Sequence, residues 1–271
     1  MDRPTIALLT DFGDRDFFVA SMKGVIIGIN PDVRLVDIGH LIPSYSPETA
    51  AFQLWAVRSF FRPGTIFLTV VDPGVGTQRK VLLAATRAGY YYVAPDNGIL
   101  SMVLREDPPR SLHWVSECRY ALPHVSRTFE GRDRMAPAAA WLSRGIPCEK
   151  FGPECVSYIE LETPGPQKRK DRLIGSIIYI DTFGNAITNL PGEWIEEWSD
   201  GAAQELICMI GKEEVPLGKS YADAADGAPL FLEGSMSLME IAVCRGSAAE
   251  RWQLRIGDEF TVLKRKAEAD P

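Results

Sequence analysis

The sequence predicts an α/β domain with a mostly parallel sheet, followed by a smaller β-rich domain. Within residues 1–162, short apolar strand patterns alternate with amphipathic helix patterns, which is typical of α/β folds. Within residues 173–271, short apolar runs are separated by Gly and Asp, which favours a β-rich domain. Residues 163–172 (TPGPQKRKDR) combine prolines, a glycine and a basic run, and they predict a linker between the two domains.

The elements of the first domain follow from apolar periodicity and from the residues that end each run. Helix patterns end at Asn30-Pro31, at Pro63-Gly64 and at Gly145, all of which are typical of helix or turn boundaries. Strands are predicted at residues 5–10, 33–38, 66–71 and 90–94, and helices at residues 17–29, 47–61 and 133–144.

The second domain contains less helix. Its apolar runs are short and rich in branched residues, so we expect strands at residues 174–180, 206–210, 230–232, 239–243 and 259–263. One short helix is expected at residues 247–252. About 100 residues are too few for a second α/β layer system.

Composition argues against several classes of protein. The net charge of −7, from 29 Lys and Arg against 36 Asp and Glu, argues against a nucleic-acid binder, which needs a basic surface. No apolar run approaches the ~18 residues of a membrane span, and no targeting segment is recognisable at the N-terminus, so we expect a cytoplasmic protein. The five cysteines include no CxxC pair and the three histidines form no HExxH, which disfavours a zinc site.

Aspartates recur at the ends of the predicted parallel strands. Asp11, Asp72 and Asp96 follow strand runs, and Asp37 lies within one. In open parallel sheets ligands bind outside the carboxyl ends of the strands, so several of these carboxylates are expected in one crevice. A single aspartate at such a place is more often a turn or cap residue.

The sequence lacks the signature motifs of dinucleotide and P-loop sites, and it weakly suggests a magnesium site. No GxGxxG follows the first strand and no GxxxxGK[ST] occurs, which argues against dinucleotide and P-loop sites. Asp14 and Asp16 could belong to a magnesium site, and metal-dependent phosphate chemistry stays open as an alternative.

Three glycine-containing segments carry further candidate residues. In VVDPGVGTQRK (70–80), Asp72 and Arg79 can pair across the turn, although such a pair can also be purely structural. Glu130 lies at the entrance of the helix predicted from residue 133, and Asn185 lies in a tight turn that could simply be a hairpin.

Together these segments resemble one family, the S-adenosyl-L-methionine (SAM) hydrolases, also called SAM hydroxide adenosyltransferases, which are related to halogenating SAM enzymes. The resemblance runs from the N-terminus to about residue 263, and its most specific motifs are DPGVG, PDNG and GNxxTN in this order. The other matching segments are TDFGDRD (10–16), Lys23-Gly24, VDIGH (36–40), PGT (63–65), TFEGRD (128–133) with Ala136-Pro137, and MEIAVCRGSAA (239–249).

The resemblance implies a fold, an assembly and a reaction. It implies a Rossmann-like N-terminal domain with a mostly parallel sheet and a β-barrel-like C-terminal domain. It also implies a homotrimer, with SAM between the N-terminal domain of one subunit and the C-terminal domain of a neighbour. Water would attack the ribose C5′ of SAM and release adenosine and L-methionine, with no metal or other cofactor.

The resemblance also assigns candidate residues. Asp72 and Arg79 match two residues of the family's Asp-Arg-His set that orients the water, and Asp11 matches the carboxylate that grips the ribose hydroxyls. Tyr45 matches an aromatic residue that covers the ligand. The remaining substrate-binding candidates are Asp72 itself, Asp181, Asn185, Tyr221, Ser235, Glu240 and Val243.

One position departs from the family pattern. The third catalytic residue is the His of TFHGRD, and this sequence has Glu130 there. Glu130 could act as a general base, or it could only pair with Arg79 and leave the water poorly activated. Two carboxylates would repel a halide, so water is the favoured nucleophile over chloride or fluoride. The alternatives are a SAM- or nucleoside-binding trimer with weak or no catalysis, a SAM-dependent halogenase and a metal-dependent phosphohydrolase.

Overall fold

A computed structural model describes residues 3–199 and 206–264 of the chain. The chain divides into two compact units, Met1–Glu162 and Thr163–Pro271. The first unit combines a sheet with helices on both faces, and the second is an antiparallel barrel-like sheet, so the predicted fold class is confirmed. The last residues of the predicted second domain, 265–271, lie outside the described residues.

The first unit contains a six-stranded sheet. Its strands are β1 (Thr5–Thr10), β2 (Arg34–Gly39), β3 (Ile66–Val70), β4 (Val81–Thr86), β5 (Tyr91–Pro95) and β6 (Pro109–Trp114). They are arranged in the order β2-β1-β3-β5-β4-β6. Strands β2, β1, β3 and β5 are parallel, whereas β4 runs antiparallel to both β5 and β6. The helices are α1 (Phe18–Ile29), α2 (Pro47–Arg58), α3 (Ser101–Glu106) and α4 (Ala136–Ser143).

Successive side chains along each strand point to opposite faces of the sheet, and each face has its own apolar core. Ile6 and Leu8 of β1 join the apolar cluster that contains residues of α1 and α4. Ala7 and Leu9 join the cluster on the side of α2 and α3. Successive strand residues point to opposite faces, so a strand covered on both faces is apolar throughout, as β1 is.

The first turn of the helix predicted for residues 133–144 differs from the prediction in its start and in its type. A π-helical turn, Gly131–Met135, precedes α4, so helical backbone begins earlier than predicted and is wider there. The sequence patterns predict neither β4 nor β6. Strand β4 is buried throughout and shows no alternation, and β6 at the sheet edge carries Arg110, Ser111 and His113 among its apolar residues.

The second unit forms a sheet in the order β11-β10-β14-β8-β9-β13-β12, and β7 pairs with β8. A bridge between Leu217, just after β11, and Phe231 of β12 brings the two edges together, so the sheet is nearly a closed barrel around its own core. The strands are β7 (Gln167–Lys168), β8 (Arg172–Ile180), β9 (Ala186–Pro191), β10 (Leu206–Ile210), β11 (Glu213–Pro216), β12 (Pro229–Glu233), β13 (Leu238–Val243) and β14 (Glu259–Lys264). The helices are α5 (Gly192–Ser199) and α6 (Ala248–Trp252).

Strand β7 lies within residues 163–172, where a linker is predicted. In the described ranges, no helix has both the length and the apolar character needed to span a membrane.

Candidate active site

The carboxyl ends of three parallel strands bring aspartates to one edge of the first sheet. Asp11 follows β1, and Asp72 follows β3 after one further residue. Thr10 and Val70 are paired in the β1–β3 register, so these two carboxylates leave adjacent strand ends. Asp96 follows β5 and lies at the same edge. This edge is where parallel sheets bind ligands.

Arg79 reaches this edge because β4 runs in the opposite direction. Val81, at the start of β4, pairs with Pro95, at the end of β5. The residues just before β4 therefore lie beside the carboxyl ends of the parallel strands. The hydrogen bond from the Asp96 N–H to the Lys80 carbonyl, at 2.9 Å, fixes the segment that contains Arg79 at this place.

Asp72, Arg79 and Glu130 form a partly buried ion cluster. Arg79 Nε donates to Asp72 Oδ1 at 3.0 Å, and Nη2 donates to Asp72 Oδ2. The same Nη2 donates to Glu130 Oε2 at 2.6 Å, and Nη1 donates to the Lys80 carbonyl at 3.0 Å. The Asp72 and Arg79 side chains are only 6% and 7% exposed, and that of Glu130 is 19% exposed. Of the three side chains predicted as catalytic, Arg79 is thus in direct contact with both Asp72 and Glu130.

The loop between β3 and β4 is shaped by its glycines. The Gly74 N–H donates to Asp72 Oδ1 at 3.2 Å, which orients the carboxylate. Gly76 adopts φ +80°, and a Cβ there would lie 2.8 Å from the carbonyl oxygen of Arg127. Only glycine fits both the backbone angle and this close approach. The loop that carries Arg79 therefore packs directly against the segment that leads to Glu130.

Glu130 lies immediately before the π-helical turn Gly131–Met135. A Cβ on Gly131 would lie 3.0 Å from Val70 Cγ1, so this turn approaches the end of β3 closely. Asp133, fully buried in the same turn, accepts a hydrogen bond from the Ser126 N–H at 2.8 Å and pairs with Arg132. Single π turns occur frequently at functional sites, where they redirect side chains.

Aromatic packing links the Glu130 segment to the Asp11 segment. Phe129, beside Glu130, packs edge-on against Phe12 with ring centroids 5.6 Å apart, and against Phe18 at 5.1 Å. Phe12 is the residue after Asp11. The cluster and Asp11 are therefore held to one another by packed rings as well as by adjacent strand ends.

Burial raises the pKa of Asp72 above its usual 3.8. The Arg79 guanidinium and the Gly74 N–H favour the ionised form and oppose this effect, whereas the charge of Glu130 adds to it. A carboxylate offers about four lone-pair positions, and the described contacts of Asp72 use three, so one position on Oδ2 can accept a hydrogen bond from a ligand or water.

Asp11 is tied to Tyr45 through the backbone. The Tyr45 N–H donates to Asp11 Oδ2 at 3.1 Å. Tyr45 adopts φ 65°, an uncommon conformation for a non-glycine residue, and it is 72% exposed. The backbone of Tyr45 thus binds the Asp11 carboxylate, while the Tyr45 side chain is exposed.

A second polar network supports the turn that carries Asp11. His40 Nδ1 lies 2.9 Å from Thr10 Oγ1, and the His40 carbonyl accepts the Gly13 N–H at 2.7 Å. His40 Nε2 lies 3.0 Å from Asp37 Oδ1, and Lys23 Nζ donates to Asp37 Oδ2 at 2.6 Å. Burial raises the pKa of Asp37, but Lys23 and His40 outweigh it and bring the pKa below its usual value. Asp37 therefore binds His40 and Lys23 in this supporting network. The position of Asp37 within a predicted strand does not by itself identify this role.

Asp96 also has a local role. It accepts the Ile159 N–H at 2.8 Å, and burial raises its pKa while that hydrogen bond and the charge of Arg79 oppose the rise. The adjacent Asn97 donates to the Val71 carbonyl at 2.8 Å and so fixes the backbone before Asp72.

The substrate-binding residues predicted in the second unit line one cleft of about 810 Å³. They are Asp181, Asn185, Tyr221, Ser235, Glu240 and Val243.

Four of those residues form a hydrogen-bonded network. Asn185 Nδ2 donates to Asp181 Oδ2 at 2.9 Å and to the Tyr221 hydroxyl oxygen at 3.1 Å, and Tyr221 donates to Glu240 Oε1. Burial raises the pKa of both Tyr221 and Glu240. A Cβ on Gly234 would lie 2.5 Å from Glu240 Oε2, so this glycine leaves room for the carboxyl group. The network places donors and acceptors along a cleft large enough for a small ligand.

Asp14 and Asp16, the residues of the suggested magnesium site, are exposed. Across residues 3–199 and 206–264, no group of three or more His, Cys, Asp or Glu side chains is arranged to hold a metal ion.

Two features of the site are not predicted from the sequence. One is the support of the Asp11 turn by His40. The other is Arg134, whose Nε lies 3.4 Å from Glu130 Oε1. The spacing of four residues between Glu130 and Arg134 is a recognisable signal for a helical ion pair, provided that helical backbone begins at Glu130 rather than at residue 133.

Comparisons with known proteins identify both units. A family model for the SAM hydroxide adenosyltransferase N-terminal domain matches residues 6–152, and the model for the C-terminal domain of that family matches residues 175–261. An (R)-S-adenosyl-L-methionine hydrolase from Thermus thermophilus is 35% identical over 95% of this chain and 99% of its own length. A fluorinase from Nocardia brasiliensis is 30% identical over 94% and 95% of the two chains. A crystal structure of an uncharacterized conserved protein from Thermotoga maritima superposes with a TM-score of 0.88, at 33% identity, over 96% of this chain and 100% of that one.

Proposed function

The chain belongs to the SAM hydroxide adenosyltransferase family, and from this premise we propose that it hydrolyses SAM to adenosine and L-methionine. Relatives named (R)-S-adenosyl-L-methionine hydrolase, matched over nearly the whole chain, support this proposal. The observation that carries it is the Asp72–Arg79–Glu130 cluster at the sheet edge where Asp11 also lies.

In the proposed reaction the oxygen of a water molecule forms a bond to the ribose C5′. The C5′–sulfur bond breaks at the same time, and its electron pair stays on sulfur, so methionine leaves as a neutral thioether. The water loses one proton. Because the leaving group needs no proton, the site requires a group that orients and deprotonates water but no general acid.

We assign the binding and activation of the water molecule to Asp72 and Arg79. The unshared lone pair on Asp72 Oδ2 accepts a hydrogen bond from the water and then its proton. Arg79 holds the Asp72 carboxylate through two donors, which fixes its direction. Glu130 pairs with the same guanidinium and completes the cluster at the position where the family pattern has His.

The other predicted residues are assigned to the substrate. Asp11 accepts hydrogen bonds from the ribose hydroxyls, and the exposed Tyr45 ring covers the ligand. Asp181, Asn185, Tyr221, Ser235, Glu240 and Val243 contact the adenine and methionine parts. The network of donors and acceptors along their cleft supports this assignment.

The two carboxylates of the cluster favour water over halide. Asp72 and Glu130 are both partly buried, and negative charge in a poorly solvated site repels an anionic nucleophile. We further propose that the reaction needs no metal and that the active form is a homotrimer. The cytoplasmic location stays a prediction from the sequence.

The test is incubation of the purified protein with SAM, followed by chromatography for adenosine and methionine. We expect equal amounts of both products, with and without a chelator. Asp72→Asn should lower kcat by about 100-fold, because it removes the proton acceptor. Arg119→Met, which changes a 65% exposed arginine paired with Glu117, should leave turnover unchanged and serves as the control.

Other outcomes would identify the alternatives. Formation of a 5′-halo-5′-deoxyadenosine that depends on added chloride or fluoride would indicate a halogenase. Loss of activity with the chelator would indicate metal-dependent chemistry. Tight SAM binding without adenosine over hours would indicate a binding protein.

A further inference from the structure

Glu130 contacts a second arginine in addition to Arg79. Its Oε2 accepts a hydrogen bond from Arg79 Nη2 at 2.6 Å, and its Oε1 lies 3.4 Å from Arg134 Nε. The Glu130 and Arg134 side chains are 19% and 22% exposed. Each carboxylate oxygen of Glu130 therefore faces a different guanidinium, in a partly buried place where charges are screened weakly.

Arg134 balances the charges of the cluster. Asp72 and Glu130 bring two carboxylates, and Arg79 alone brings one positive charge. A partly buried carboxylate without its own positive partner tends to bind a proton or to turn away, because burial disfavours the charged form. With Arg134 present, the cluster contains two carboxylates and two guanidinium groups.

The backbone explains why Arg134 reaches Glu130. Both residues lie at the π-helical turn, Glu130 just before it and Arg134 within it, and residues four apart on helical backbone are neighbours on its surface. Asp133 anchors the same turn in the interior through Ser126 and Arg132. The Glu130–Arg134 pair thus sits on a fixed segment.

We propose that Arg134 is a positioning residue. It holds Glu130 in place as a charged partner of Arg79. Arg79 then holds Asp72 so that one lone pair of the Asp72 carboxylate stays unshared and can bind water. This inference rests on the proposed SAM hydrolysis. Arg134 acts through Glu130 and not on the substrate. Without it, Glu130 no longer shares the guanidinium of Arg79 in a fixed direction, and Arg79 holds the Asp72 carboxylate less firmly.

The experiment compares Arg134→Met and Arg134→Lys with the wild type. We expect Arg134→Met to lower kcat about tenfold while KM for SAM changes by less than about twofold, because the pair orients groups that act on water. The contact with Glu130 is an ion pair at 3.4 Å, so Arg134→Lys, which keeps the charge, should restore most of the lost turnover. Arg119→Met is the matched control for the loss of an arginine. If thermal unfolding shows that Arg134→Met does not fold, Arg134→Gln takes its place.

A double-variant cycle with Glu130→Gln tests whether Arg134 acts through Glu130. Measured in single turnover, Arg134→Met should have little further effect in the Glu130→Gln background. An unchanged kcat of Arg134→Met, or the same fractional loss in both backgrounds, would overturn the inference. Failure of the proposed function is distinguishable, because the wild type would then form no adenosine.

Discussion

At the scale of single residues, the chemistry depends on the protonation of Asp72. Burial raises the pKa of this carboxyl group above 3.8 in spite of Arg79. A raised pKa in the folded protein means that the ionised form, which the proposed mechanism needs, is lost at a higher pH than for an ordinary aspartate. The same residue is therefore the most direct source of a pH dependence.

We predict that kcat/KM for SAM falls as the pH falls through the raised pKa of Asp72. The ionised carboxylate accepts the proton of water, so activity is present above this pKa and lost below it. The measurement is a pH profile from about pH 8 down to about pH 3, with circular dichroism at each pH to confirm folding. A profile that stays flat down to the ordinary value of 3.8 would contradict the assignment.

Tyr45 shows a different consequence of local structure. Its φ of 65° places a non-glycine residue in the left-handed region, at a cost of about 1 kcal/mol or more. The conformation directs the Tyr45 N–H to Asp11 and leaves the ring exposed. Strain of this kind fits a residue that serves a ligand rather than the core.

At the scale of elements, the site depends on two loops that pack against each other. The β3–β4 loop carries Asp72 and Arg79, and the segment before the π-helical turn carries Glu130. The two loops approach each other at Gly76, where a Cβ atom would lie 2.8 Å from the Arg127 carbonyl oxygen. The distance between Arg79 and Glu130 therefore depends on a glycine that lies outside the ion cluster.

We predict that Gly76→Ala lowers both stability and turnover. A methyl group at φ +80° and 2.8 Å from the Arg127 carbonyl oxygen adds strain and a clash, which together should cost about 2–3 kcal/mol. The loops must separate, which weakens the Arg79–Glu130 pair. The measurements are the free energy of unfolding in urea and kcat for SAM.

The matched control is Gly145→Ala. Gly145 has a similar φ of +85°, but nothing lies within 4 Å of the added methyl group. This variant should lose only about 1 kcal/mol from backbone strain and should keep its turnover. Equal loss of turnover in the two variants would mean that strain alone, and not contact between the loops, explains the effect.

At the scale of the whole molecule, the two units carry different parts of the predicted site. The first unit contains the cluster that is proposed to act on water, together with Asp11 and Tyr45. The second unit has its own core and a cleft lined by the remaining predicted residues.

We predict that the active form has three times the 30.0 kDa mass of one chain, as the family resemblance implies. Light scattering during gel filtration measures this mass, and SAM turnover of the same fraction measures activity. Dilution that dissociates the assembly should remove activity together with the larger mass. A fully active species with the mass of one chain would refute the prediction.

Parts of this fold can be predicted from local pattern alone. Strand β1 agrees with its prediction, and α1 agrees to within one residue, because an apolar run bounded by turn residues specifies its own structure. The antiparallel β4 is different. Its residues are apolar on both faces, and its direction depends on pairing with β5 and β6. Pairing of strands is a long-range property that the local sequence does not encode.

Sequence patterns alone predict the fold class, the family and the residue types that could bind a sugar and a water molecule. The structure is needed to see that Arg79 and Glu130, 51 residues apart, share a hydrogen bond, and that helical backbone begins early enough to bring Arg134 to 3.4 Å from Glu130. Motifs and periodicity reflect neighbours along the chain, whereas burial, ion pairs between loops and the resulting pKa shifts depend on segments that only folding brings together.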